Sequence, residues 1–191
     1  MTRTFIALER DESLQRHLIE SIRRMAPALP RLKWVDPSTI HLTLAFLGEL
    51  IDEQLAKAVQ ASDEAARQAA PFGYRLARLG TFGAPRQPRV VWIGVDEPTG
   101  ELTRLQRLLT RELEQRGFAL ETRPFSPHLT LARVKEPLSA AELQTMQHFL
   151  ADRQRSVPSP YYYAQRVSVM KSELSRTGAA YTRLHDSLLG K

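Results

Sequence analysis

Cysteine is absent from the 191 residues of this chain. That removes disulfides, thiolate nucleophiles and cysteine-ligated zinc from its chemistry, and it fits a reducing compartment. No apolar run is long enough to span a membrane. The first 25 residues carry Arg3, Glu9, Arg10, Asp11, Glu12 and Arg16, so nothing there resembles a secretion signal. Low-complexity segments and long linkers are lacking too. A cytoplasmic protein without membrane contact is expected. With 42% apolar and 25% charged residues, the chain is long enough for one good core or for two small lobes sharing one.

The charge balance is one-sided. A net charge of +6 and a pI near 10.0 point to a polyanionic partner, because clustered cations attract phosphate backbones and release counterions on binding. Nucleic acid is the obvious candidate. Arginine supplies 22 of the 27 basic residues, a bias that solvated helix faces also produce, so charge alone leaves both readings open.

The pentapeptide His-Leu-Thr-Leu-Ala occurs twice, at His41 to Ala45 and at His128 to Ala132, an offset of 87 residues. Phe5-Ile6-Ala7-Leu8-Glu9 falls on Trp92-Ile93-Gly94-Val95-Asp96 at that same offset. Two matches in one register read as an internal duplication, over roughly 3–80 and 90–174, with each half one structural unit. The element order agrees. Thr4 to Glu9 suits a strand, Asp11 can cap a helix carrying Leu14, Leu18, Ile22 and Met25, and Pro27 and Pro30 end it. Ile40 to Leu47 is a strand in which Leu42, Leu44 and Phe46 share one side and His41, Thr43 and Ala45 the other. A helix opened by Asp52 and Glu53 follows, with Leu55, Val59, Ser62, Ala66 and Ala69 as its inner stripe, then a strand near Tyr74 to Leu79.

The second half repeats this order. It has a strand at Val90 to Val95, a helix with Leu102, Leu105, Leu109 and Leu113 stopped by Gly117, and the strand His128 to Val134. A helix opened by the capping-box pair Ser139 and Glu142 comes next. Tyr161 to Glu173 with Ala180 to Leu184 reads as one or two further strands, the tyrosine run placing one ring in the core. Gly80 to Arg89 is rich in turn residues and reads as the crossover or a mobile loop. The expected architecture is α+β: one domain of two pseudo-symmetric lobes, each built from strands and flanking helices, packed about a pseudo-twofold axis with the histidine strands facing each other.

In each copy histidine and threonine are two residues apart, so on a strand they project from one face, about 6.5 Å apart. Imidazole titrates near neutral pH, so one histidine can accept a proton while its twin donates one. Threonine hydroxyls can donate to an anion lying between them. Displacement at phosphorus is in line, and a two-fold arrangement supplies one histidine to each side of it. The catalytic candidates are therefore His41, Thr43, His128 and Thr130, acting on a phosphodiester. No metal and no cofactor is expected, since catalytic zinc wants three protein ligands and each motif offers one histidine with no acid in strand register. His17, His148 and His185 read as solvated or structural. Which of the paired histidines is acid and which is base does not follow from the spacing.

His41-Leu42-Thr43-Leu44-Ala45-Phe46-Leu47-Gly48 and Pro124 to Arg133 resemble the paired HxTx motifs of the two-histidine phosphoesterase superfamily. The closer likeness is to the RNA 2',3'-cyclic phosphodiesterases, historically called 2'-5' RNA ligases. Arg3 to Ala7, Pro88 to Trp92, and Ser172 with Tyr181-Thr182 also resemble that family, so the likeness covers nearly the whole chain. It implies a bilobal fold, each lobe a mainly antiparallel sheet with flanking helices and an active-site cleft between them, and hydrolysis of an RNA 2',3'-cyclic phosphate end, tRNA fragments among the candidates, to a 2'-phosphomonoester by a monomer. It also implies His41 as proton donor, His128 as proton acceptor, and Thr43 and Thr130 on the phosphoryl oxygens.

Arg133 resembles the family's arginine after the second motif, which binds phosphate or the RNA end. On a regular strand, however, it has the opposite parity to His128 and reaches the substrate only if the strand twists, bulges or ends there. Arg86 and Arg89 either line an RNA path or belong to a solvated loop. Three alternatives stay open: a 2'-5' RNA ligase, a cyclic phosphodiesterase for small nucleotides, and, from another class, a non-catalytic RNA-binding module.

Overall fold

Leu102, Leu105, Leu109 and Leu113 recur at helical spacing, and all four are buried along α3 (Glu101–Gln115), which stops before Gly117 at φ +86°. The same logic builds α1 (Glu12–Met25) on Leu14, Leu18 and Met25. The Ser139–Glu142 box opens α4 (Ala140–Ala151), with the Ser139 amide donating to the Glu142 carboxylate at 2.8 Å. In α2 (Asp52–Arg67) the inner stripe is Ala58, Ala61, Ser62, Ala65 and Ala66, with Leu55 and Val59 only partly covered. Small side chains let this helix lie close against its neighbours, so alanines took the place expected of the larger residues.

In this computed structural model residues 1–8, 12–151, 159–174 and 179–190 are described; Glu9 and the expected cap Asp11 lie outside them. The strands are β1 (Thr2–Leu8), β2 (Lys33–Trp34), β3 (Leu42–Leu50), β4 (Phe72–Ala84), β5 (Gln87–Asp96), β6 (His128–Arg133), β7 (Tyr162–Ala164), β8 (Arg166–Leu174) and β9 (Ala179–Leu188). They form a curled antiparallel sheet in the order β7-β4-β5-β6-β3-β1-β8-β9, with β2 also pairing with β6. The fold is α+β. In the tyrosine run, Tyr162 is buried while Tyr161 and Tyr163 are exposed.

Three features differ from the sequence reading. The segment Gly80 to Arg89 is a hairpin in which β4 and β5 run almost to the tip, with Ala84 opposite Gln87. The halves of the chain are not separate units: β4, from the first half, pairs with β5, while β8, from the second, pairs with β1. The second repeat match is also out of register by two residues. Thr43 stands opposite Ala7 and Thr130 opposite Trp92, so Trp92 occupies the place of Ala7 rather than that of Phe5. A two-residue shift preserves strand parity, which is why the sequence match still pointed to the correct face.

On the outer side, Asp63 of α2 accepts hydrogen bonds from Ser187 Oγ at 2.7 Å and His185 Nε2 at 2.8 Å, tying the helix to β9. Burial pushes the Asp63 carboxyl up. The hydrogen bonds from His185 and Ser187, with the charges of His185 and Arg67, outweigh this and hold it below its ordinary value. A carboxyl depressed in the folded state contributes stability above its unfolded pKa, and that contribution is lost as pH falls through the folded value. Asp63→Ala is therefore expected to cost about 1 kcal/mol near neutral pH. Urea unfolding would show it as a midpoint shift that shrinks in acid.

Candidate active site

The two histidine strands adjoin at the middle of the sheet. β3 and β6 are antiparallel and pair at one position, Leu42 with Leu129, which are equivalent residues of the two repeats. A local two-fold axis through that pair sets Thr130 across from His41 and His128 across from Thr43. All four side chains stand on the face opposite the two buried leucines. His41 and His128 are then diagonal neighbours on adjoining strands, about 7–8 Å apart at their Cα atoms. The sequence-derived quartet is thus assembled on one surface. Neither threonine side chain is bonded to another described residue, so both hydroxyls are available on this face.

The imidazoles are oriented alike. Nδ1 of His41 lies 2.8 Å from the Thr39 carbonyl oxygen, and Nδ1 of His128 lies 2.7 Å from that of Ser126. A carbonyl can only accept, so Nδ1 carries the proton in each ring and Nε2 is the nitrogen left for chemistry. Each ring is also walled by two aromatics. Phe5 stacks on His41 at 4.4 Å between centroids and Tyr181 meets it edge-on at 4.9 Å. Phe82 meets His128 edge-on at 4.8 Å, with the Trp92 ring 6.1 Å away. None of these four wall residues was named as a site residue from the sequence. Phe5 and Trp92 lay in the repeat match and, like Tyr181, in segments that resemble the family, while Phe82 had no such signal.

The parity objection to Arg133 is answered by a bulge. Between the pairs Trp92–Thr130 and Val91–Ala132, β6 carries one extra residue, Leu131. The slip buries Leu131 and Ala132 together and pairs Arg133 with Val90, on the histidine face. The first repeat has the same bulge at Leu44, between Ala7–Thr43 and Ile6–Ala45. Consequently Ala45 turns to the core and Phe46 to the histidine face, the reverse of a plain alternating strand. Burial pushes the Tyr181 phenol up, opposed by the charges of Arg133 and Arg3; both guanidiniums are thus near that hydroxyl, beside His41.

Arg89 is not brought to the site. Its carbonyl accepts from the Val134 amide, which aligns it with a residue packed in the second, smaller core, on the far face from Arg133. Arg86 is exposed at the hairpin tip. The remaining histidines are elsewhere: half-buried His17 is bonded to the Tyr162 hydroxyl at 3.0 Å, His185 to Asp63, and His148 is exposed on α4. A pocket of about 640 Å3 opens beside His41, lined by Tyr181, Arg183, Met170, Ser168, Thr39 and Ser38 among others. His128 and its strand do not contribute to it.

Residues 11–175 match the 2'-5' RNA ligase superfamily. The chain belongs to that family. Among its relatives is an RNA 2',3'-cyclic phosphodiesterase from Methanothermobacter thermautotrophicus, 33% identical over 180 residues that span 94% of this chain and 95% of the relative. A crystal structure from Thermus thermophilus superimposes with a TM-score of 0.81 at 28% identity, covering 98% of both chains. Escherichia coli LigT complexed with 3'-AMP gives 0.76 at 25% identity, covering 100% of this chain and 99% of the other. No helix among the described residues is long and apolar enough to cross a membrane.

Proposed function

We propose that this protein hydrolyses 2',3'-cyclic phosphodiester ends of RNA to 2'-phosphomonoesters, with His41 as general acid and His128 as general base. The observation that carries the reading is the matched pair of main-chain locks on Nδ1. They present two equivalent Nε2 atoms from adjoining strands to one surface, as in-line displacement requires. Water attacks phosphorus as its proton passes to His128 Nε2. The P–O3' bond breaks, and the departing 3' oxygen takes the proton held on His41 Nε2. Thr43 and Thr130 donate to the phosphoryl oxygens, where negative charge builds, and Arg133 supplies the nearby cation. Afterwards His128 holds a proton and His41 lacks one, and exchange with solvent resets both.

The pocket supports this order of roles. A cyclic phosphate carries its nucleoside on the leaving-group side, and the cavity that His41 borders is large enough for one. The substrate on this reading is an RNA end, such as that of a tRNA fragment, handled by a monomer. Phosphorus NMR of the product from a cyclic-phosphate oligonucleotide decides the outcome. A 2'-phosphate is expected; a 3'-phosphate would reverse the bond assignment. Salt-sensitive binding with no product would leave an RNA-binding module instead. Because one imidazole must be neutral and the other protonated, the rate should pass through a maximum and fall on both sides, without loss on adding a chelator. A rate that climbs steadily into alkali would exclude the pair.

A further inference from the structure

Lys33 and Arg133 stand directly opposite one another where β2 pairs with β6. Cross-strand partners project to one side of a sheet, so Lys33 shares the histidine face with Arg133, and like charges so placed weaken the pairing. Exposed arginines elsewhere are neutralised: Arg31 is bridged to Glu136 and Glu142, and Arg166 to Asp186. Neither Lys33 nor Arg133 forms an ion pair with a described residue, and both are exposed. A repulsive pair held on the catalytic face without a counter-charge suits an anion that arrives with the ligand. We propose that Lys33 holds the internucleotide phosphate on the 5' side of the nucleotide that bears the cyclic phosphate. The proposal rests on the reading of the site as a cyclic phosphodiesterase centre and names the polymer, rather than a lone nucleotide, as its ligand.

The placement suits two successive phosphates. Because of the bulge at Leu131, Thr130 and Arg133 are two ladder steps apart, about 7 Å along the strand, a gap that one nucleotide bridges. With the cyclic phosphate on the threonine hydroxyls, the preceding diester falls on the row of Lys33 and Arg133. Arg133 has five donors and can serve both groups, while the Lys33 ammonium is a point charge for the second. Lys33 also leads directly into the turn whose Asp36, Ser38 and Thr39 line the pocket beside His41. Tyr181, which lines the same pocket, lies near the Arg133 charge. A nucleoside seated there is therefore flanked by this cationic row. A mononucleotide ends at its 5' hydroxyl and gives Lys33 nothing to hold, whereas a longer strand brings the phosphate with it.

The test compares Lys33→Gln, Lys33→Glu and Lys33→Arg on three substrates: a mononucleoside 2',3'-cyclic phosphate, a dinucleotide ending in one, and the same dinucleotide with an uncharged methylphosphonate as its internal linkage. For Lys33→Gln, the ratio of kcat/KM on the dinucleotide to that on the mononucleotide should fall about ten-fold, through KM. Lys33→Glu should lower the ratio further, and Lys33→Arg should keep it. With the methylphosphonate the ratio should be the same in Lys33→Gln as in the unaltered protein. Equal losses on all three substrates would make Lys33 a prop for β2 and overturn the proposal. So would a methylphosphonate as sensitive to Lys33→Gln as the diester, or an unchanged ratio throughout. If the unaltered protein turned over no substrate, the activity reading would fail instead. Binding of a 2'-phosphorylated dinucleotide at increasing salt would still test the contact: the slope of log affinity on log salt should shrink by about 0.7 in Lys33→Gln, and an unchanged slope would overturn it.

Discussion

Replacing either His41 or His128 with alanine should lower the single-turnover rate on cyclic-phosphate RNA by about 10²–10⁴-fold, the usual worth of a positioned acid or base. The double variant should lose much less than the product of the two single losses, because both groups act in one transition state. Binding of a 2'-phosphorylated RNA should change little, since the hydroxyls of Thr43 and Thr130 and the charge of Arg133 remain. The roles can then be separated. A substrate whose departing atom is a 3' sulfur needs no proton on leaving. It should restore much of the rate to His41→Ala and none to His128→Ala. Restoration in the opposite variant would exchange acid and base, and retention of more than a small fraction of the rate in either would place the chemistry elsewhere.

The second large effect comes from a residue with no side chain. A Cβ on Gly80 would sit 2.3 Å from two carbons of the Trp92 indole, a separation no packed structure tolerates. Gly80→Val must therefore displace the indole, which packs on Phe82 and lies in the wall of His128. Overpacking of this kind costs about 1–3 kcal/mol, and an imidazole misplaced by about 1 Å forfeits about 10²-fold in turnover. Thermal unfolding, tryptophan emission and kcat measured together should all move. Gly73→Ala is the matched control, since its nearest neighbour would be the side chain of exposed Tyr161 at 3.2 Å. If Gly80→Val unfolded at a lower temperature yet kept full turnover, the indole would have no part in holding His128.

Much of this architecture could be read from residue order because the signals were local. The leucines of α3, the Ser139–Glu142 box and the histidine–threonine spacing each depend on neighbours a few positions apart. What could not be read depends on partners. Leu44 and Leu131 look like ordinary members of an alternating strand; only the opposing strand reveals that one residue too many is present, and with it where Phe46 and Arg133 point. The wall that Phe82 and Trp92 form at His128 was hidden for a related reason. The glycines around Phe82 suggest a loose turn, whereas Gly80 is needed so that an indole can lie across the strand. Arg89 was grouped with the RNA path by proximity in sequence, and its register with Val134 puts it on the other face.

The crossing of β4 and β8 bears on how this molecule can move. Each side of the sheet is completed by a strand borrowed from the other half of the chain, so the two sides are clasped like interlocked fingers. Any swing of one side against the other must bend both crossing segments at once as well as open the single β3–β6 pair.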